Sequence, residues 1–144
     1  MQSILILDDD PGIRETMRHS LVSHQFQVTC ADTADEATAI LKEKTYDIIL
    51  VDFAMPEHDG TWFMKNARIP QKTKVILITG HVSRDLINTM FSLGVCGYLI
   101  KPIDEEMLLH NIQFYLGKPI THTLGNAVPA PEPEQSVAPV KPVP

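Results

Sequence analysis

The chain has 144 residues, 44% hydrophobic and 21% charged, which is enough for one globular core and excludes wholesale disorder. Twelve Lys and Arg against 18 Asp and Glu leave a net charge of -6, so direct nucleic-acid binding by this chain is not expected. Two cysteines make no disulfide framework, no apolar run reaches the roughly 20 residues that span a bilayer, and the first seven residues lack a basic leader, so a soluble cytoplasmic protein is expected.

Nearly continuous apolar runs at Ile4–Leu7, Ile48–Val51, Val75–Ile78 and Tyr98–Ile100 predict strands buried on both faces, as in a parallel sheet. Phe26–Cys30 alternates more and suits an edge strand. Helical periodicity fills the intervals. Ile13, Met17 and Leu21 mark a first helix, with Asp10 as N-cap and Pro11 at its first position. Ala37, Ile40 and Leu41 mark a second, with Thr33 and Glu36 spaced as a capping box. Trp62 and Phe63 lie in a short third helix, expected to run to Ile69-Pro70. Leu86, Ile87, Met90 and Phe91 stripe a fourth, stopped by Gly94. Leu108, Ile112, Tyr115 and Leu116 stripe a fifth, opened by Asp104.

Five βα units imply right-handed crossovers in a doubly wound α/β fold, a five-stranded parallel sheet ordered 2-1-3-4-5. The folded unit is expected over residues 1–117. Seven of the 11 prolines follow Lys118, in an Ala, Glu and Val background without aromatics, so 118–144 reads as a flexible tail or linker. Cys30 and Cys96 would sit at opposite sheet edges, about 19 Å apart at roughly 4.8 Å per strand. Both should be free thiols.

Ligands of such sheets bind beyond the carboxyl ends of the strands. The residues there are Asp8, Asp9 and Asp10 after strand one, Asp52 after strand three, Thr79 after strand four and Lys101 after strand five. Asp10 is accounted for as a helix cap, but Asp8, Asp9 and Asp52 would crowd. Two carboxylates about 5 Å apart repel by roughly 3 kcal/mol at an effective dielectric near 20. An all-oxygen cluster of this kind suits Mg²⁺ shared with a phosphate. A carboxylate nucleophile, a divalent ion, a lysine and a hydroxyl are the parts that phosphoryl transfer needs.

Four stretches make the pattern specific: Ile4-Leu-Ile-Leu-Asp-Asp-Asp-Pro11, Asp47-Ile-Ile-Leu-Val-Asp-Phe-Ala-Met-Pro-Glu-His-Asp-Gly60, Val75-Ile-Leu-Ile-Thr-Gly80 and Gly97-Tyr-Leu-Ile-Lys-Pro102. Over residues 2–117 the chain resembles the receiver domain of two-component response regulators, with a flavodoxin-like (βα)5 fold. The resemblance implies that Asp52 accepts a phosphoryl group from a phosphohistidine on a sensor kinase or phosphotransfer protein. It implies Mg²⁺ held by Asp9, Asp52 and the Ala54 carbonyl, with Asp8 acting mostly through water. It gives Lys101, before a cis Pro102, to the phosphoryl group. Thr79 would move to that group and Tyr98 would swing inward after it. Ala54 and His81 would tune access of the hydrolytic water. An unknown downstream protein would dock on the face around the fourth helix, fifth strand and fifth helix, near Arg84, Met90, Tyr98 and Met107. Receivers often dimerise weakly through that face. Arg14 and Arg18, expected exposed, would face the kinase or simply solvent.

This describes a signalling switch rather than a turnover enzyme. A longer regulator with an output domain outside this chain is the main alternative. Asp8-Asp9-Asp10 also resembles the Asp-x-Asp start of haloacid-dehalogenase phosphatases, but Pro11-Gly12 follows in place of Gly-Thr. A flavodoxin-like electron carrier would need a phosphate cradle where three aspartates stand.

Overall fold

The structure, a computed structural model, describes residues 1–117; the tail expected over 118–144 lies outside them. Strands and helices alternate in the order β1 Ser3–Leu7, α1 Pro11–Ser23, β2 Gln27–Ala31, α2 Ala34–Glu43, β3 Ile48–Asp52, α3 Gly60–Asn66, β4 Lys74–Thr79, α4 Arg84–Ser92, β5 Gly97–Ile100 and α5 Glu105–Tyr115. All strands are parallel, in the order β2-β1-β3-β4-β5.

The continuous apolar runs are explained by two cores, one on each face of the sheet. Leu5, Leu7, Ile49, Val51 and Leu77 face α2, α3 and α4, where Phe63 and Met90 are fully buried. Ile4, Ile6, Leu50, Ile76 and Ile78 face α1 and α5, meeting Met17, Leu21, Leu108 and Ile112. Alternate residues of one strand therefore serve opposite layers, and in β1, β3 and β4 polar side chains stand only at the strand ends, at Ser3, Asp52, Lys74 and Thr79. The two edge strands are less buried: β2 is exposed at Gln27 and half-buried through Cys30, and β5 is half-buried at Tyr98 and exposed at Ile100.

Each helix begins with a side-chain cap, worth about 0.5–2 kcal/mol apiece. Asp10 accepts from Gly12 and Ile13, Thr33 from Glu36, and Asp104 from Met107, as the sequence predicts. Asp59 and Ser83 cap α3 and α4 in the same way. The Glu36 carboxylate accepts from the Asp32 amide, one residue ahead of the cap, so the box is offset from its usual form. Helix α3 ends at Asn66, three residues short of Ile69, because Ala67 is already extended at ψ 150. Gly94, at φ +117, turns the chain out of α4 in a conformation that disfavours any side chain.

Cys30 and Cys96 are free and half-buried, and burial pushes both thiols up. One expectation fails: Met90 does not face a partner. Its side chain is fully buried against α3, where its sulfur accepts from the Thr61 hydroxyl at 3.8 Å. The apolar stripe of α4 is two-sided, and Met90 belongs to its inner side.

Candidate functional site

Strand register builds the site. Leu7 pairs with Val51, Asp52 with Ile78 and Thr79 with Ile100, so the residues leaving β1, β3, β4 and β5 converge on one edge. Asp8 is fully buried just beyond β1; its amide donates to the Ala31 carbonyl and its Oδ1 accepts from the Asp10 amide at 2.9 Å. Asp52 ends β3 and is 4% exposed. Lys101 Nζ lies between them, 3.1 Å from Asp8 Oδ2 and 3.3 Å from Asp52 Oδ1. Its peptide bond to Pro102 is cis. The exposed Asp9 completes an acidic group with Asp8 and Asp52 whose oxygens lie within 4.8 Å of one another. Asp10 stands beside them with its carboxylate committed to the start of α1.

One ammonium does not balance three carboxylates. Burial, and then the neighbouring Asp8 charge, push Asp52 up to about 7 despite the opposing pull of Lys101. Burial works against the Lys101 charge, yet Asp52 and Asp8 hold its ammonium above the ordinary range. Asp8 Oδ2 is buried without a hydrogen bond of proper geometry, and among the described residues the Lys101 ammonium is its one ion-pair partner. An electron-rich, under-satisfied, all-oxygen cluster fits a hard divalent cation.

Thr79 is 2% exposed, and its hydroxyl is engaged within its own loop, donating to the His81 carbonyl and accepting from the His81 amide, both at 3.0 Å. Asp9, Asp10, Pro11, Asp52, Ala54, Thr79, Gly80, His81 and Lys101 line an open cleft of about 490 Å³. All the expected site residues but Tyr98 thus meet at this edge. Tyr98 points to the α2–α4 layer, its ring edge-on to Phe91 with centroids 6.4 Å apart.

Two features escaped the sequence. Arg14 is half-buried rather than presented to solvent, and its Nη1 donates to the Asp8 carbonyl at 2.8 Å. Helical side chains lean toward the N-terminus, so a residue four past the cap can reach back to the preceding loop; that was the available signal. His58, in the loop after Asp52, stacks on Trp62 at 3.8 Å and places Nδ1 3.1 Å from Asp35 Oδ1, pinning the loop to α2. No local signal marks that contact.

The family model for the response regulator receiver domain matches residues 4–113. The chain belongs to the response-regulator receiver family. It is similar to the transcriptional regulatory protein AruR of Pseudomonas aeruginosa, 31% identical over 134 residues, covering 88% of this chain and 54% of that protein. Among solved structures, it resembles the chemotaxis response regulator CheY4 of Vibrio cholerae at 29% identity and TM-score 0.74, over 80% of this chain and 98% of that one. A CheY-like receiver from Methanospirillum hungatei gives 28% identity and TM-score 0.78, over 81% and 94%. The chain spans about half, or less, of the curated relatives it matches: 54% of AruR, 47% of ResD from Bacillus subtilis and 25% of GlrR from Escherichia coli. The family is that of the main reading of the sequence, a receiver of a two-component system. Among the described residues, no helix of this receiver is long and apolar enough to cross a membrane.

Proposed function

We propose that Asp52 accepts a phosphoryl group from a phosphohistidine on a sensor kinase or phosphotransfer protein. The observation that carries this is the Lys101 ammonium seated between Asp8 and Asp52 at the mouth of the cleft. An Asp52 oxygen attacks phosphorus, the P–N bond breaks, and the electron pair leaves with the imidazole nitrogen, which takes a proton. Asp9, Asp52 and the Ala54 carbonyl, with Asp8 through water, would hold Mg²⁺. When bound, Mg²⁺ spreads the charge of the phosphoryl oxygens. Lys101 would share that task, and its ion pairs with Asp8 and Asp52 keep the ammonium charged.

The acyl phosphate adds about two negative charges and three acceptor oxygens. Thr79 then exchanges its bonds with His81 for one to a phosphoryl oxygen, which frees the loop before α4. Tyr98 repacks into the space released, and the face of α4, β5 and α5 changes for a downstream protein. Arg84 and the half-exposed Met107 and Ile100 offer that protein its first contacts. The module is a cytoplasmic switch, catalysing only its own phosphorylation and dephosphorylation. Residues 1–117 form the receiver unit and 118–144 a linker or tail. The greater length of the curated relatives favours a second arrangement, in which this receiver controls an output domain beyond the chain.

The test is incubation with acetyl phosphate followed by intact mass. One phosphoryl adduct that needs Mg²⁺ and is lost in Asp52→Asn supports the reading. No adduct on folded protein with Mg²⁺ present contradicts it.

A further inference from the structure

The Asp9 carboxylate is the least supported part of the acidic cluster. It is exposed, and no hydrogen bond to it exists among the described residues, yet it lies within 4.8 Å of Asp8 and Asp52. Its position is therefore set by its main chain. Just before it stands the Asp8–Asp9 peptide, whose carbonyl takes the 2.8 Å bond from Arg14 Nη1. The bonds around Asp8 and Asp10 hold the flanks of this turn, but Arg14 holds that peptide itself.

The choice of acceptor is informative. A guanidinium beside an acidic cluster would gain most from a carboxylate, yet among the described residues Arg14 makes no ion pair with any acid. It spends its donor on a neutral carbonyl and leaves the carboxylate oxygens uncovered. Lys101, by contrast, covers both Asp8 and Asp52.

We propose that Arg14 is a positioning residue for the divalent cation: through the Asp8 carbonyl it fixes the peptide that aims Asp9 at Asp8 and Asp52. This rests on the reading of the cluster as the Mg²⁺ site. A role as a mere nearby charge predicts the opposite sign. A cation close to the site repels Mg²⁺, so its removal should then tighten binding. Loss of a group that orients a metal ligand weakens binding, typically by tenfold or more.

The experiment is calorimetric titration of the unphosphorylated full chain with MgCl₂, comparing wild type, Arg14→Met and Arg14→Lys, with a thermal melt of each. The bond is a single N–H to a carbonyl, which a lysine ammonium can also make. The expected result is Mg²⁺ affinity lowered about tenfold in Arg14→Met and largely retained in Arg14→Lys. If Arg14→Met does not fold, Arg14→Gln, neutral and shorter in reach, is titrated instead with the same expectation. A folded neutral variant that binds Mg²⁺ as well as wild type, or tighter, overturns the inference alone. A wild type that binds no Mg²⁺ overturns the metal reading and the inference with it.

Discussion

The Thr79 hydroxyl and the His81 main chain hold each other twice, at 3.0 Å in each direction. The one hydroxyl at the strand ends that lines the cleft is thereby committed to the loop entering α4, so any group that captures it must release the loop.

Thr79→Ala should accept a phosphoryl group but fail to pass the signal on. Amide exchange in residues 80–84 should change on phosphorylation of the wild type and stay fixed in the variant. A wild-type response in Thr79→Ala would show that the loop moves for another reason. Tyr98→Ala should likewise retain phosphorylation and lose affinity for the downstream partner. Unchanged partner affinity would discount the aromatic ring.

Asp52 gives the metal-free protein a distinct pH dependence. Its folded value, about 7, lies above its ordinary 3.8, so the folded state holds the proton more tightly. The associated stability is complete below pH 3.8 and is lost as pH rises through 7. Asp52→Asn should remove this loss and be the more stable protein at pH 8, by about 1–3 kcal/mol. Urea melts in EDTA across pH 5–8 provide the measurement, and an Asn variant less stable than wild type at pH 8 would refute it.

Lys101→Met separates two roles of the ammonium. Without it, Asp8 Oδ2 is left with no partner of opposite charge, so the metal-free variant should lose about 3 kcal/mol. Mg²⁺ should bind more tightly, since no fixed cation competes for the carboxylates. Phosphorylation by acetyl phosphate should nonetheless fall at least tenfold, the usual scale for a lost electrostatic group. Tighter metal with slower chemistry is the signature; weaker metal would count against the competition.

Gly97 is required by a neighbour rather than by its own backbone. A methyl group there would run into the Tyr115 hydroxyl, which donates to the Cys96 carbonyl at 3.0 Å. Gly97→Ala should cost about 1–3 kcal/mol, the usual range for overpacking. Tyr115→Leu should recover part of that in the double variant. Additive losses in a denaturation cycle would show no shared strain.

Most of the fold can be read along the chain because its signals are local. A strand buried on both faces needs an unbroken apolar run, and Ile48–Val51 falls within one residue of β3. Asp10, Thr33 and Asp104 announce helix starts by chemistry that spans three residues. The site is legible for the same reason, since parallel order forces the strand ends to one edge. Met90 and Arg14 were misplaced because direction on a helix is a tertiary property. Met90 lies on a stripe that α3 shares with the sheet, and Arg14 is turned by a carbonyl absent from any residue pattern.

The central claim is that Asp52, rather than Asp8 or Asp9, carries the phosphoryl group. Borohydride reduces an acyl phosphate to an alcohol, converting the phosphorylated aspartate to homoserine, which peptide mass mapping can place. After treatment with acetyl phosphate and Mg²⁺, homoserine should appear at position 52 and at no other acid. Homoserine at position 8 or 9 instead, or at none on folded protein with Mg²⁺ present, would contradict the account.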